Sequence, residues 1–212
     1  FAMLSGLQLA DDAASATVRL DVSRLSDSQS ATWIYALVAP FPTTTDSVSL
    51  AELQNAWAGA AAGPFAGRPL WLDEPTLAAF SALWGAPAAG SVRVAAANQL
   101  VDFALADRPA WAIVPFEALE PRWKVLSVDG QSPVHNDFIS ASYPLKISFD
   151  LQPAAFPLLP GNRDPNKMTI LAMTGVTALV RGTADRMESH GVLFPAEEIR
   201  TVLRAADITH VS

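Results

Sequence analysis

The 212-residue chain contains no cysteine, which removes disulfides, thiolate metal sites and cysteine nucleophiles together. Histidine is scarce. His135, His190 and His210 form no HxxxH or HxH pair, so local metal-ligand spacing is lacking. No apolar run approaches the roughly 20 residues that span a bilayer. The longest runs, residues 33–41 and 111–116, have the length of buried strands, so no transmembrane segment is expected. Positive charge is also thin: 14 Lys and Arg against 21 Asp and Glu leave a formal charge of −7, with the cations scattered. A nucleic-acid partner needs a basic face to neutralise phosphates, so none is expected, and an anionic membrane surface is disfavoured for the same reason. The sequence has no Gly-x-Ser-x-Gly elbow, no P-loop, no dinucleotide fingerprint and no signal-peptide pattern. No cofactor and no metal are implied. Phe1-Ala2-Met3 and His210-Val211-Ser212 read as fragment boundaries, which leaves a leader or anchor elsewhere an open matter.

Half of the residues are apolar, and six Trp and ten Phe supply bulk for a packed core. Alternation over residues 16–22 predicts a half-buried strand, and the continuous apolar run 33–39 predicts a strand covered on both faces. Ser49-Leu50-Ala51-Glu52 matches a capping box opening a helix that carries Leu50, Leu53 and Trp57 on one side. Short strands are expected at 69–72, 91–95, 111–114 and 124–128. Between them come a helix entered through Asp73, Glu74 and Pro75, and a helix capped by Asn98. This β-α-β rhythm predicts an α/β fold: a mostly parallel sheet with helices on both faces. A further strand is expected within 138–151, then a Pro-rich linker over 153–166, which divides a module at 1–152 from a second stretch at 167–212. In that stretch 168–173 reads as a strand, 183–189 and 195–206 as helices, and 208–211 as the next strand, a short β-α-α-β order.

Residues 31–150 resemble a lobe of type II periplasmic binding proteins, the phosphate-binding type especially. The resemblance rests on Leu37-Val38 followed by the loop 40–47, on Leu50-Ala51-Glu52-Leu53 with Trp57-Ala58-Gly59, on Ala110-Trp111-Ala112-Ile113-Val114-Pro115, and on Tyr143-Pro144-Leu145. It implies a small anionic or polar solute bound in a two-lobed cleft, with helix N-terminal amides supplying recognition. The loops so implicated carry Thr43, Thr44 and Thr45, then Glu74 and Thr76, then Asn98. The alternative role of the same residues is turn chemistry and helix capping. The lead-in before Trp33 is short for that family, so one wall of any cleft is expected from the missing remainder of the same polypeptide.

The stretch from Met168 to Arg181, with Phe194-Pro195, Ile199, Leu203 and Ala206-Asp207 after it, resembles the opening of CapA-type proteins of poly-γ-glutamate capsule synthesis. Those domains look like metallophosphatases, and their pattern after the first strand is Gly-Asp-x-x-x-x-Arg. Here Gly175 and Arg181 match, but Val176 stands where the family's metal-binding Asp would be, and valine cannot donate to a metal. The resemblance therefore implies an extracytoplasmic bacterial module that is not catalytic in this stretch. A fragment of a metal-dependent phosphoesterase-like enzyme, and a structural or interaction lobe without ligand, remain the alternatives. Asp73-Glu74 and Glu197-Glu198 suit helix starts, and Trp71, Trp84, Trp111 and Trp123 are expected in the core.

Overall fold

The computed structural model describes residues 10–12, 14–23, 30–152 and 161–212. The chain divides into two compact units, residues 1–133 with 140–163 and residues 134–139 with 164–212. Residues 153–160 of the expected linker lie outside the described residues.

The larger unit contains, in chain order, β1 (Arg19–Val22), β2 (Ala31–Pro40), β3 (Ser47–Val48), α1 (Leu50–Trp57), β4 (Leu70–Leu72), α2 (Glu74–Trp84), β5 (Val92–Val94) and α3 (Leu100–Ala106). It closes with β6 (Trp111–Pro115), β7 (Trp123–Val125), β8 (Ser127–Val128) and β9 (Lys146–Gln152). The main sheet runs β1-β9-β2-β6-β4-β5, with β7 added beside β2. Its parallel part is β5-β4-β6, joined by the right spacing of strand and helix, whereas β2 is antiparallel to β6, β7 and β9. The unit is thus a mixed α/β sheet whose parallel end matches the predicted rhythm.

The sequence reason for β2's place is its composition. Every residue from Trp33 to Ala39 is buried, which only a strand covered on both faces tolerates. On one face Ala36 and Val38 join Ala112 and Val114 of β6, Trp71 of β4 and the Leu100, Val101, Ala104 stripe of α3. The alternate residues meet an aromatic cluster. Tyr35 and Phe80 cross edge-on at 5.1 Å, Phe80 and Trp84 at 4.7 Å, and Trp57 and Trp84 at 5.5 Å. Two indoles in this layer are satisfied by backbone: Trp57 Nε1 donates to the Gly85 carbonyl and Trp111 Nε1 to that of Pro64, each at 3.0 Å.

Helix entries follow the chemistry of their first residues. The capping box at Ser49 forms in full, with Ser49 Oγ accepting from Glu52 N and a Glu52 carboxylate oxygen accepting from Ser49 N at 2.8 Å. Asp73 caps α2 by accepting from Thr76 N at 2.9 Å. Asn98 does not cap α3. It lies in a 3-10 turn, residues Ala97–Gln99, and the N-cap position is Gln99 with no side-chain bond, because the chain tightens by one turn before the helix begins. The strand expected within 138–151 starts only at Lys146, since the preceding residues turn through Pro144.

The smaller unit holds β10 (Leu171–Met173), α4 (Gly182–His190), α5 (Arg200–Ala205) and β11 (Ile208–His210). β10 and β11 pair in parallel, which gives the expected β-α-α-β order. Asp207 ties the strands together: its carboxylate accepts from Ile170 N at 2.7 Å, and its own N–H donates to the Ile170 carbonyl at 3.0 Å. None of this unit's residues is buried. Among the described residues no helix is long and apolar enough to cross a membrane.

The capping box generates a pH test. Bonds from Ser49 hold the Glu52 carboxyl below its ordinary value of 4.5 in the folded chain. A depressed folded value stabilises the fold above the unfolded value, and that stabilisation disappears as pH falls through the folded one. Ser49→Ala should cost about 1 kcal/mol at pH 7 in chemical denaturation. The stability gap between the native chain and Glu52→Gln should be present at pH 7 and close as the solution is acidified below 4.5.

Candidate functional site

In open α/β sheets, ligand chemistry gathers outside the carboxyl ends of the parallel strands. Here that edge is formed by the ends of β4, β5 and β6. Leu72 and Ala95 are joined by a 3.0 Å backbone bond, which holds the first two strand ends side by side. From β4 the chain passes directly into Asp73 and Glu74, from β5 into the turn with Asn98, and from β6 into a 3-10 turn, Phe116–Ala118, that carries Glu117. Because β2 is antiparallel to β6, with Tyr35 opposite Pro115, the first half of β2 returns to this same edge and brings Trp33 and Tyr35 with it.

Glu117 is fixed from two directions. Trp33 Nε1 donates to Oε1 at 3.0 Å, and Asn162 Nδ2 donates to Oε2. Asn162 in turn pairs with the backbone of β2, its Oδ1 accepting from Ile34 N at 2.7 Å and its Nδ2 donating to the Ile34 carbonyl at 2.9 Å. The preceding Gly161 bridges Thr32 in parallel register. A Cβ at Gly161 would meet the Thr32 carbonyl oxygen at 2.5 Å, so only glycine fits that approach. A side-chain amide thus continues the ladder where β6 stops. Arg163 follows, donating from Nε to the Pro133 carbonyl at 2.7 Å and lying over the Phe116 ring.

Tyr35 is 5% exposed, and burial pushes its hydroxyl pKa up, with the charges of Glu117 and Asp73 raising it further.

The residues expected at a ligand site divide between the two ends of the sheet. Glu74 is exposed at the first position of α2, Thr76 is buried as its third, and Asn98 is exposed in the β5–α3 turn, all at the carboxyl edge. Thr43, Thr44 and Thr45 follow the end of β2, which points the opposite way, so they lie beside the amino ends of β4 and β6. There the Thr43 carbonyl accepts from Lys124 Nζ at 2.8 Å, and the same ammonium pairs with Asp46. The helix beyond that loop has little left to offer an anion. Glu52 takes Ser49 N, and Asp129 Oδ1 takes Leu50 N at 3.0 Å. The protein's own carboxylates occupy the dipole end that a solute anion would need.

Sequence reading passed over Tyr35, Glu117 and Asn162. Asn162 falls inside the expected linker over 153–166, and Glu117 lies just past the strand expected at 111–114. A lone acidic residue shortly after a buried strand, in an otherwise apolar run, was the available signal. Among the described residues no group of three or more His, Asp or Glu side chains is placed to hold a metal ion.

No family model and no curated protein matches the chain. Solved structures do. An ABC-type phosphate transport receptor from Vibrio cholerae superposes with a TM-score of 0.50 at 14% identity, over 68% of this chain and 62% of that one. The chain has a type II periplasmic binding protein fold. A putative phosphate ABC transporter substrate-binding protein from Clostridium perfringens, solved with bound phosphate, gives 0.49 at 12% identity over 70% of this chain and 65% of that one. PstS from Borrelia burgdorferi gives 0.41 at 10% identity over 68% and 64%. The matched stretches span less than two thirds of those structures. Within the binding-protein fold, the edge carrying Asp73, Glu117 and Tyr35 is the carboxyl edge described above.

The Asn162 clasp yields a direct test. Asn162→Ala leaves both backbone groups of the buried Ile34 without their partner, and each group so stranded costs about 1–3 kcal/mol. The denaturation midpoint should fall accordingly, and the Ile34 amide should lose hydrogen-exchange protection while the α3-side core keeps its own.

Proposed function

We propose that the larger unit is a solute-binding lobe whose carboxyl edge forms one wall of a cleft for a small anionic or polar solute. The observation that carries this reading is convergence: the ends of β4, β5 and β6 and the returning half of β2 deliver polar side chains to one edge. That is where sheets of this kind hold ligands. The fold likeness to an ABC-type phosphate transport receptor supports the binding role and the oxyanion reading. The opposing wall would be supplied by polypeptide beyond the 212 residues, and the setting would be extracytoplasmic, as for binding proteins of this fold.

A second reading concerns the smaller unit. Its β-α-α-β order, with Gly175 after β10 and Arg181 at the start of α4, favours a link to CapA-type capsule-polymer proteins, carried by sequence pattern alone. Val176 is 90% exposed in the position of that family's metal-binding carboxylate, and its isopropyl group offers no donor. The reading is therefore of a non-catalytic relative rather than a phosphoesterase.

Titration of the chain with phosphate, sulfate, glutamate oligomers and simple sugars, followed by thermal unfolding, tests the binding role. A ligand held at 100 times its Kd adds about 2.7 kcal/mol to the folded state. A saturable rise in Tm with at least one solute is expected. A flat response to all of them would leave the lobe as a structural or interaction module.

A further inference from the structure

The smaller unit is not assembled from one stretch of chain. Residues 134–139, which lie between β8 and β9 in sequence, belong to it together with residues 164–212. A boundary drawn at the Pro-rich linker therefore omits a piece of the unit. Within residues 134–139 a bond from Phe138 N to the His135 carbonyl closes a turn that contains Asn136.

Asn136 meets the end of α5. That helix stops at Ala205 and Ala206 is already extended, so the last carbonyls need donors from outside the helix. Asn136 Nδ2 donates to the Ala205 carbonyl at 3.0 Å and to Asp207 Oδ1 at 3.3 Å. One amide group thus caps the helix and holds the carboxylate that follows it. The other oxygen of that carboxylate, Oδ2, accepts from Ile170 N at 2.7 Å, just before β10. Asp207 N and Ile208 N both donate back to the Ile170 carbonyl, at 3.0 and 3.1 Å. A continuous polar path runs from the loop, through Asp207, to the point where β10 and β11 begin to pair.

The weight of such a path depends on what else holds the unit together. None of its residues is buried, and its strands are three residues each, so apolar packing contributes little. A parallel pair is also the less stable kind of ladder per residue. The partners of Asn136 lie 69 and 71 residues further along the chain, so no local preference brings them together. We propose that residues 134–139 form a clasp for the smaller unit, with Asn136 the positioning residue that fixes Asp207 and thereby the β10–β11 register. Closed, the clasp caps α5 and orders both strand heads. Opened, it frees Asp207 and releases the pair. The inference is independent of what either unit binds.

Hydrogen exchange on the full chain tests this, read at the amides of Ile170, Asp207 and Ile208. The native chain is compared with Asn136→Ala, which removes the donor, and with Asn136→Asp, which keeps the size but sets a carboxylate against Asp207. Asn136 is exposed, so both variants should stay folded. Loss of the donor should speed exchange of these amides about two- to tenfold, the effect of one hydrogen bond on a local opening, and Asn136→Asp should exceed Asn136→Ala. The Ile34 amide of the larger unit should keep its protection in both. Unchanged exchange at Ile170 and Ile208 in both variants would overturn the clasp. So would unprotected exchange of those amides in the native chain, or an equal rise at Ile34, which would mark a general loosening rather than the release of one contact.

Discussion

The structure depends on one strand satisfied on both edges and buried on both faces. β2 pairs with β9 over its first residues, with β6 over its middle and with β7 at its end, and the short stretch β6 does not reach is filled by Gly161 and Asn162. A buried strand with open backbone groups would be penalised at each of them, so the ladder must be completed by whatever lies nearby. Here a side-chain amide does the work of a peptide group. The consequence reaches the carboxyl edge of the sheet, because the same Asn162 that completes the ladder also fixes Glu117.

Direction matters as much as pairing. The parallel strands β4, β5 and β6 send their carboxyl ends one way, and the antiparallel β2 sends its own the other way. Helix caps at the two ends then differ in what remains available. α1 is closed by Glu52 and Asp129, and α2 by Asp73. A fold shared with a phosphate receptor carries carboxylates at the carboxyl edge of this sheet, which is a statement about side chains placed on a scaffold rather than about the scaffold.

The smaller unit illustrates the limit of local amphipathicity. Ile199, Val202 and Leu203 have the spacing of a buried helical stripe, and Leu171, Met173 and Ile208 that of strand interiors. Yet Val202, Met173 and Ile208 are more than half exposed. Two short strands and two short helices enclose too little volume to bury such groups, as expected for a unit well below the size at which a single core becomes self-sufficient.

Read alone, the residues determined where elements begin and end, because those signals act within a few positions. Ser49 with Glu52, Asp73 with Thr76, and the unbroken apolar run of β2 each declare themselves locally, and the absence of cysteine and of histidine pairs closed off whole chemistries. The Asn98 cap was misplaced by one residue because a 3-10 turn and a helix start share the same local preferences. What only the tertiary structure decided was which ends meet. Thr43, Thr44 and Thr45 resemble a ligand loop in sequence but leave from the far end of an antiparallel strand, whereas Tyr35, Asp73, Glu117 and Asn162 are scattered along the chain and converge at one edge. Strand direction and long-range pairing are set by the burial of β2 as a whole, and no window of neighbouring residues encodes them.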